Sequence, residues 1–245
     1  MKAVITAGGR VGEPYSSAAG TDVKALARVR GATMLDRSID ALRGAGAVRI
    51  AVVGGSAVRD ACSKRVERVI DESPSGAQNV LRALRAWPDD DGEPLLYATS
   101  DMPYVTAGAI GDFVTRVPSG AIALALAEFA DFAIRFPGAP PFGINLARER
   151  VVNGGIFSLP AGSCSRIARF ATLLFEARKR PWRMATLVSP LAMLRLLLGR
   201  LSIAEIESVA GKAANVPAAA VRRCAPELGF DADTLAEYRY ACQNP

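Results

Sequence analysis

An α/β fold built on a mainly parallel sheet is the fold class this sequence predicts, and three observations predict it. Short apolar runs recur at Ala3–Ala7, Arg49–Val53, Arg68–Asp71, Leu95–Thr99, Ile122–Ala127 and Gly155–Leu159. Most are separated by segments with helical spacing, the alternation that βαβ units produce. The first run, in MKAVITAGGR, ends directly in two glycines, Gly8 and Gly9. A glycine pair at a strand's C-terminal end marks a sharp turn or a close approach to backbone N–H groups. In an open α/β sheet, ligands bind just beyond those strand ends.

Taken in order, the intervening helices are expected at Met34–Arg43, around Ala57–Arg65, at Ala77–Trp87 and at Ala107–Val114, the last with Thr106 as N-cap. Between Asp131 and Arg150 the stretch FPGAPPFGINLARER is rich in Pro and Gly and reads as a loop over the open end of the sheet. Beyond Pro160 the chain turns helical, and SIAE at Ser202–Glu205 matches a capping box. There is no internal repeat. At 245 residues the chain is near the upper size for one hydrophobic core. One domain over residues 1–245 is expected, with a helical C-terminal subregion at residues 160–225.

With 50% apolar and 22% charged residues the composition is that of a globular protein, not a disordered one. A net charge of +6 is compatible with an anionic small molecule, a nucleic acid or an acidic membrane surface. Aromatics are only 7%, and no helix-turn-helix, zinc-finger or aromatic sheet signature is present, which argues against nucleic acid. The N-terminus lacks a basic segment followed by an apolar core. The apolar stretch LAMLRLLLGRL is cut by Arg195 and Arg200, far short of the roughly 20 apolar residues of a spanning helix. A cytoplasmic protein is expected. The four cysteines are far apart and the chain contains no histidine, which excludes zinc sites of the usual spacing and both Ser-His-Asp and Cys-His chemistry. Catalysis is left to carboxylates, cations, backbone amides or a bound metal.

Four stretches offer such groups. Gly8 and Gly9, a long polar loop and Lys24 together provide N–H donors and a mobile cation for a phosphate, although a tight turn with a solvated lysine has the same pattern. In LLYATSDMPYV the run Leu95–Thr99 delivers Asp101 to a strand end, where a carboxylate is placed either for metal binding or for a turn. In VVNGGIFSLP, Asn153, Gly154 and Gly155 suit close contact with a sugar-like or phosphate-bearing substrate, or else a bulge or hairpin. In GFDADTLAEY, alternation puts Asp231 and Asp233 on one face, ahead of a helix that Thr234 starts.

The order TAGGR, Lys24 before RGATML, SDMP, NGGIF and DADTLAEY resembles the MobA-like nucleotidyltransferases, relatives of the sugar-nucleotide pyrophosphorylases, over nearly the whole chain, from Met1 to Tyr238. The resemblance implies a Rossmann-like, GT-A-type three-layer fold. It implies nucleotidyl transfer from a nucleoside triphosphate to a phosphorylated small-molecule acceptor, with Mg²⁺ as cofactor and pyrophosphate as product. It further implies that Ala7, Gly8, Gly9, Arg10 and Lys24 hold the triphosphate, with Gly76 against the base or ribose. Asp101 with Asp233 or Asp231 would bind the metal, and Asn153 and Gly154 would face the acceptor. Lys24, Asp101 and Arg10 are then the catalytic residues. One departure stands out: where many relatives carry a basic residue in this loop, Glu13 stands here.

Such chemistry suits a chain without histidine, because a phosphate nucleophile is already an anion and needs no strong base. Two alternatives remain at this level: a GT-A glycosyltransferase using a nucleotide-sugar, and a degenerate nucleotide-binding module, to which Glu13 points. The basic, leucine-rich segment 175–201, with Arg178, Lys179, Arg180, Trp182 and Arg183, reads first as a helix burying its leucines and second as a contact for an anionic membrane surface.

Overall fold

A computed structural model describes residues 1–89, 91–140, 142–177 and 190–244. In chain order the elements are β1 (Lys2–Thr6), α1 (Tyr15–Ala19), a 3-10 turn at Lys24–Leu26, β2 (Arg28–Val29), β3 (Ala32–Thr33), α2 (Met34–Gly44), β4 (Arg49–Gly54), α3 (Ser56–Cys62), β5 (Arg68–Asp71), α4 (Gly76–Leu84), β6 (Leu95–Thr99) and α5 (Ala107–Arg116). They continue with β7 (Ile122–Glu128), α6 (Phe129–Arg135), β8 (Ile144–Asn145), β9 (Arg150–Leu159), α7 (Cys164–Ala177), α8 (Pro190–Leu197), α9 (Ile203–Ala214), β10 (Ala218–Val221), a 3-10 turn at Pro226–Leu228 and α10 (Leu235–Gln243).

The sheet order is β10-β7-β9-β6-β1-β4-β5, with β8 added alongside β9. Pairs β1–β4, β1–β6, β4–β5 and β10–β7 are parallel, and β9 runs antiparallel between β6 and β7. Ala3, Val4 and Ile5 of the central strand are all fully buried, as expected of a parallel strand covered on both faces. Alternation along the strands sorts the core into two layers. Ala3, Ile5, Ile50 and Val52 pack with Leu35 and Ile39 of α2, Val58 of α3 and Phe113 of α5. Val4, Ala51 and Val53 pack with Ala83 and Leu84 of α4 and with Ile167 and Ala168 of α7. Helices on both faces make this the three-layer α/β arrangement.

Local chemistry places the boundaries. Thr33, Thr106, Ser202 and Thr234 each cap a helix through a side-chain oxygen, and Ser202 with Glu205 forms the expected capping box. The β2–β3 hairpin turns on Arg30 and Gly31, both at positive φ (50° and 87°), the backbone that a two-residue type I′ turn requires.

Three expectations need correction. The loop expected at Asp131–Arg150 contains most of α6 and the short strand β8. Phe132 and Phe136, one helical turn apart, bury themselves against Phe230 and fix α6 there. The helical subregion at 160–225 also contributes β10, which pairs parallel with β7 at the sheet edge. Third, α8 leaves most of its leucines in water: Leu191, Leu194 and Leu197 are exposed, while Leu196 packs half-buried with Leu146, Val151 and Ile203. Arg178, Lys179, Arg180, Trp182 and Arg183 lie outside the described residues. No helix among the described residues is long and apolar enough to cross a membrane.

Candidate active site

Strand pairing brings the first two motifs together. Thr6 of β1 pairs with Thr99 of β6, so Gly8 and Asp101, each two residues further on, leave the same edge of the sheet as neighbours. Ala7 remains a fully buried strand extension, its N–H donating to the Val53 carbonyl at 2.8 Å. Gly9 accepts from the Lys24 N–H at 3.0 Å, and a Cβ on Gly9 would lie 3.3 Å from Cε of Lys24. The missing side chain therefore lets the lysine stem lie against the turn.

From there Lys24 Nζ donates to Asp101 Oδ2 and to Asp233 Oδ1. Lys24 and Asp101 side chains are each 14% exposed, and Asp233 is 66% exposed. The third and fourth sequence segments thus split: DAD joins Lys24 and Asp101, whereas NGG does not supply an open turn. Burial opposes the Lys24 charge, but the two carboxylates outweigh it and hold its pKa above the ordinary lysine value.

Asp231 is the unusual member. Burial, then the charges of Asp101 and Asp233, push its carboxyl well above the ordinary carboxylate range. Its Oδ1 is buried without a hydrogen-bond partner, and so is Oδ1 of Asp101. Among the described residues no group of three or more His, Cys, Asp or Glu is assembled as a ready cation site; Lys24 supplies the positive charge. The two orphaned oxygens are nevertheless hard acceptors, the donor type that Mg²⁺ and Mn²⁺ take. The carboxylate set therefore fits a divalent cation.

A carboxyl whose folded-state pKa is raised supports stability at low pH and loses that support as pH rises from the ordinary carboxylate value through its raised one. Asp231→Asn is therefore expected to raise the melting temperature of the cation-free protein at pH 7 by roughly 2–4 °C, equivalent to about 1 kcal/mol in a chain of this size. Below the ordinary carboxylate range the difference should vanish. Thermal unfolding from pH 3 to pH 8 checks this, and a constant difference across that range would contradict it.

The remaining predicted residues have other neighbours. Arg10 is held at the rim: its guanidinium donates to the Gly8 carbonyl at 3.0 Å, pairs with Glu72, and lies 3.6 Å from Asp22. Glu72 was not anticipated. It follows β5, and a Cβ on Gly8 or Gly55 would collide with its carboxylate, so those glycines are required for the Arg10–Glu72 pair to nest on the turn. Gly76 opens α4, and a Cβ there would be 2.5 Å from the Phe175 ring of α7.

Asn153 and Gly154 lie inside β9, opposite a register shift between Leu124 and Leu126 of β7. Gly154 is buried, and its Cβ would sit 2.9 Å from Cβ of Ala125. A Cβ on Gly155 would strike Thr99. Close strand packing at a bulge accounts for both glycines. Glu13 has a local role as well: Ser17 and Ser16 hydrogen bonds lower its pKa at the start of α1, where a negative charge suits the helix dipole.

A family model for the MobA-like NTP transferase domain matches residues 3–229. The chain belongs to that family. It is accordingly a nucleotidyltransferase, an assignment that displaces both the glycosyltransferase and the degenerate-module alternatives. Solved structures agree with the fold. A hypothetical transferase from Thermus thermophilus is 27% identical, with a TM-score of 0.84 over 97% of this chain and 100% of that one. A nucleotidyl transferase from Methanothermobacter thermautotroptrophicus is 18% identical, with a TM-score of 0.57 over 99% and 98% of the two chains. A Mycobacterium tuberculosis protein solved as a complex with manganese is 16% identical, with a TM-score of 0.55 over 100% and 98%. A comparison with curated proteins found no match.

Proposed function

We propose that this MobA-like enzyme, acting as one domain in the cytoplasm, transfers a nucleotidyl group from a nucleoside triphosphate to the phosphate of a small-molecule acceptor and releases pyrophosphate. The meeting of Lys24, Asp101 and Asp233 beside the glycine turn supports this reading, together with the unpartnered oxygens of Asp101 and Asp231. Asp101, Asp231 and Asp233 would hold Mg²⁺, which when bound neutralises phosphate charge and orients the leaving group.

The chain's own residues do the rest. N–H groups of the Gly8–Gly9 turn and the Lys24 ammonium bind the triphosphate, and Arg10 adds a second cation once it exchanges Glu72 for phosphate. Gly76 borders the base or ribose, beside Phe175. Asn153 is the residue retained for the acceptor side, because packing already accounts for Gly154. An acceptor phosphate oxygen attacks the α-phosphorus in line. The bond from that phosphorus to the bridging oxygen breaks, and its electron pair leaves with pyrophosphate. The nucleophile is already ionised, so the absence of histidine from the sequence is no obstacle.

Thermal unfolding with each of the four ribonucleoside triphosphates, with and without Mg²⁺, tests the donor. A ligand at a hundredfold excess over its Kd stabilises by about 2.7 kcal/mol, so one triphosphate is expected to give a clear, Mg²⁺-dependent rise. A rise with nucleoside diphosphate sugars alone would reject nucleotidyl transfer as the reaction.

A further inference from the structure

We infer that Tyr15 is a positioning residue that ties the glycine loop to the segment carrying Asp231 and Asp233. The inference rests on the metal-assisted reading above and adds to it a residue that touches neither phosphate nor cation.

Ala232, between the two aspartates, is fully buried, and both of its backbone groups are engaged. Its N–H donates to the Asp101 backbone carbonyl at 2.9 Å. Its carbonyl accepts the Tyr15 hydroxyl at 3.0 Å. The two peptide units that join Asp231 to Asp233 are therefore pinned, one to Asp101 just beyond β6 and the other to the N-terminal loop.

Tyr15 reaches the loop through its backbone. Its N–H and that of Ser16 both donate to the Gly12 carbonyl, at 2.9 and 3.0 Å, closing the loop that begins at Gly8. Its ring stacks on Tyr238 of α10, with centroids 4.9 Å apart, so the helix following the aspartates is held by the same side chain. Burial raises the Tyr15 pKa above the ordinary phenol value, which keeps the hydroxyl a donor throughout the neutral range.

Phenylalanine would fill the same space and stack equally well, so core packing alone does not require the hydroxyl. Without it the buried Ala232 carbonyl loses its partner, and the segment is free to turn Asp231 and Asp233 away from Asp101. Removing groups that orient metal ligands typically weakens metal affinity about 10–100-fold.

Mn²⁺ binding to the nucleotide-free protein, read from the electron paramagnetic resonance signal of free Mn²⁺, together with kcat and KM for the triphosphate, tests the role in Tyr15→Phe and Tyr238→Phe. Tyr238 donates its hydroxyl to the Arg28 carbonyl at 3.1 Å, away from the aspartates, and is the matched control. Tyr15→Phe is expected to bind Mn²⁺ about 10-fold more weakly and to lose kcat with KM little changed, while Tyr238→Phe behaves as wild type. Wild-type affinity and kcat in Tyr15→Phe would overturn the role, and so would equal losses in both variants, which would assign the effect to loss of a buried hydroxyl in general and not to the Ala232 bond. Wild-type protein that binds no Mn²⁺ would count against the metal reading alone; unchanged kcat in Tyr15→Phe would then still overturn the positioning role, and a selective loss would support it.

Discussion

Asp101→Asn is expected to lower turnover at least about 100-fold while the protein stays folded. The substitution keeps the side-chain volume at the end of β6 but removes one of the two charges facing Lys24 Nζ, and it replaces a carboxylate whose second oxygen is buried and unpartnered. Loss of one preorganised electrostatic group of this kind commonly costs 10²–10³ in kcat, or about 2.7–4 kcal/mol of transition-state stabilisation. The backbone of Asp101 also accepts the Ala232 N–H, a bond the substitution leaves intact. Pyrophosphate release under saturating triphosphate measures the effect, with thermal unfolding as the control for folding. Near-normal turnover in a folded variant would remove Asp101 from the reaction.

The parts of this molecule that were legible in the sequence are those governed by local rules. The runs Arg68–Asp71 and Leu95–Thr99 match β5 and β6 to the residue: β6 is a short, largely buried apolar stretch inside the sheet, and β5 is an edge strand whose Val69 and Ile70 are flanked by exposed charges. Thr106 and Ser202 declared their helices through capping chemistry. Elements stabilised only by distant partners were not legible. The helix α6 depends on Phe132 and Phe136 meeting Phe230, almost a hundred residues away in the chain. The strand β10 is the four-residue AAAV, whose pattern has no period of its own and whose identity comes from pairing with β7.

The same division runs through the site. Asp101 could be named from its strand-end position, Lys24 from the loop after the glycine turn and Asp233 from the acidic DAD stretch, and the structure joins them. Glu72 could not, since one acid after a short strand has no distinguishing pattern; only the folded arrangement of Gly8 and Gly55 around its carboxylate picks it out. Tyr15 sits in a loop whose sequence, EPYSSAAG, says nothing about a hydroxyl reaching Ala232. The glycines of NGGIF carried a true signal for close approach, but the neighbours are Ala125 and Thr99 within the sheet.

Lys24→Met is expected to move catalysis and cation binding in opposite directions. Methionine follows the lysine stem past Gly9 and removes only the ammonium, so Asp101 and Asp233 lose their shared partner next to an Asp231 already disfavoured as an anion. Breaking a buried pair by deleting one member typically costs about 3–5 kcal/mol; with Asp233 66% exposed to screening water, the lower end of that range or less is expected at pH 7. Turnover should fall at least about 100-fold, because the triphosphate loses a cation beside the glycine turn. Mn²⁺ should nevertheless bind the nucleotide-free variant more tightly than wild type, since the ammonium no longer competes with it for Asp101 and Asp233. Weaker Mn²⁺ binding in a folded Lys24→Met protein would mean that the ammonium helps assemble the carboxylates, and would reject the idea that it stands in for the cation.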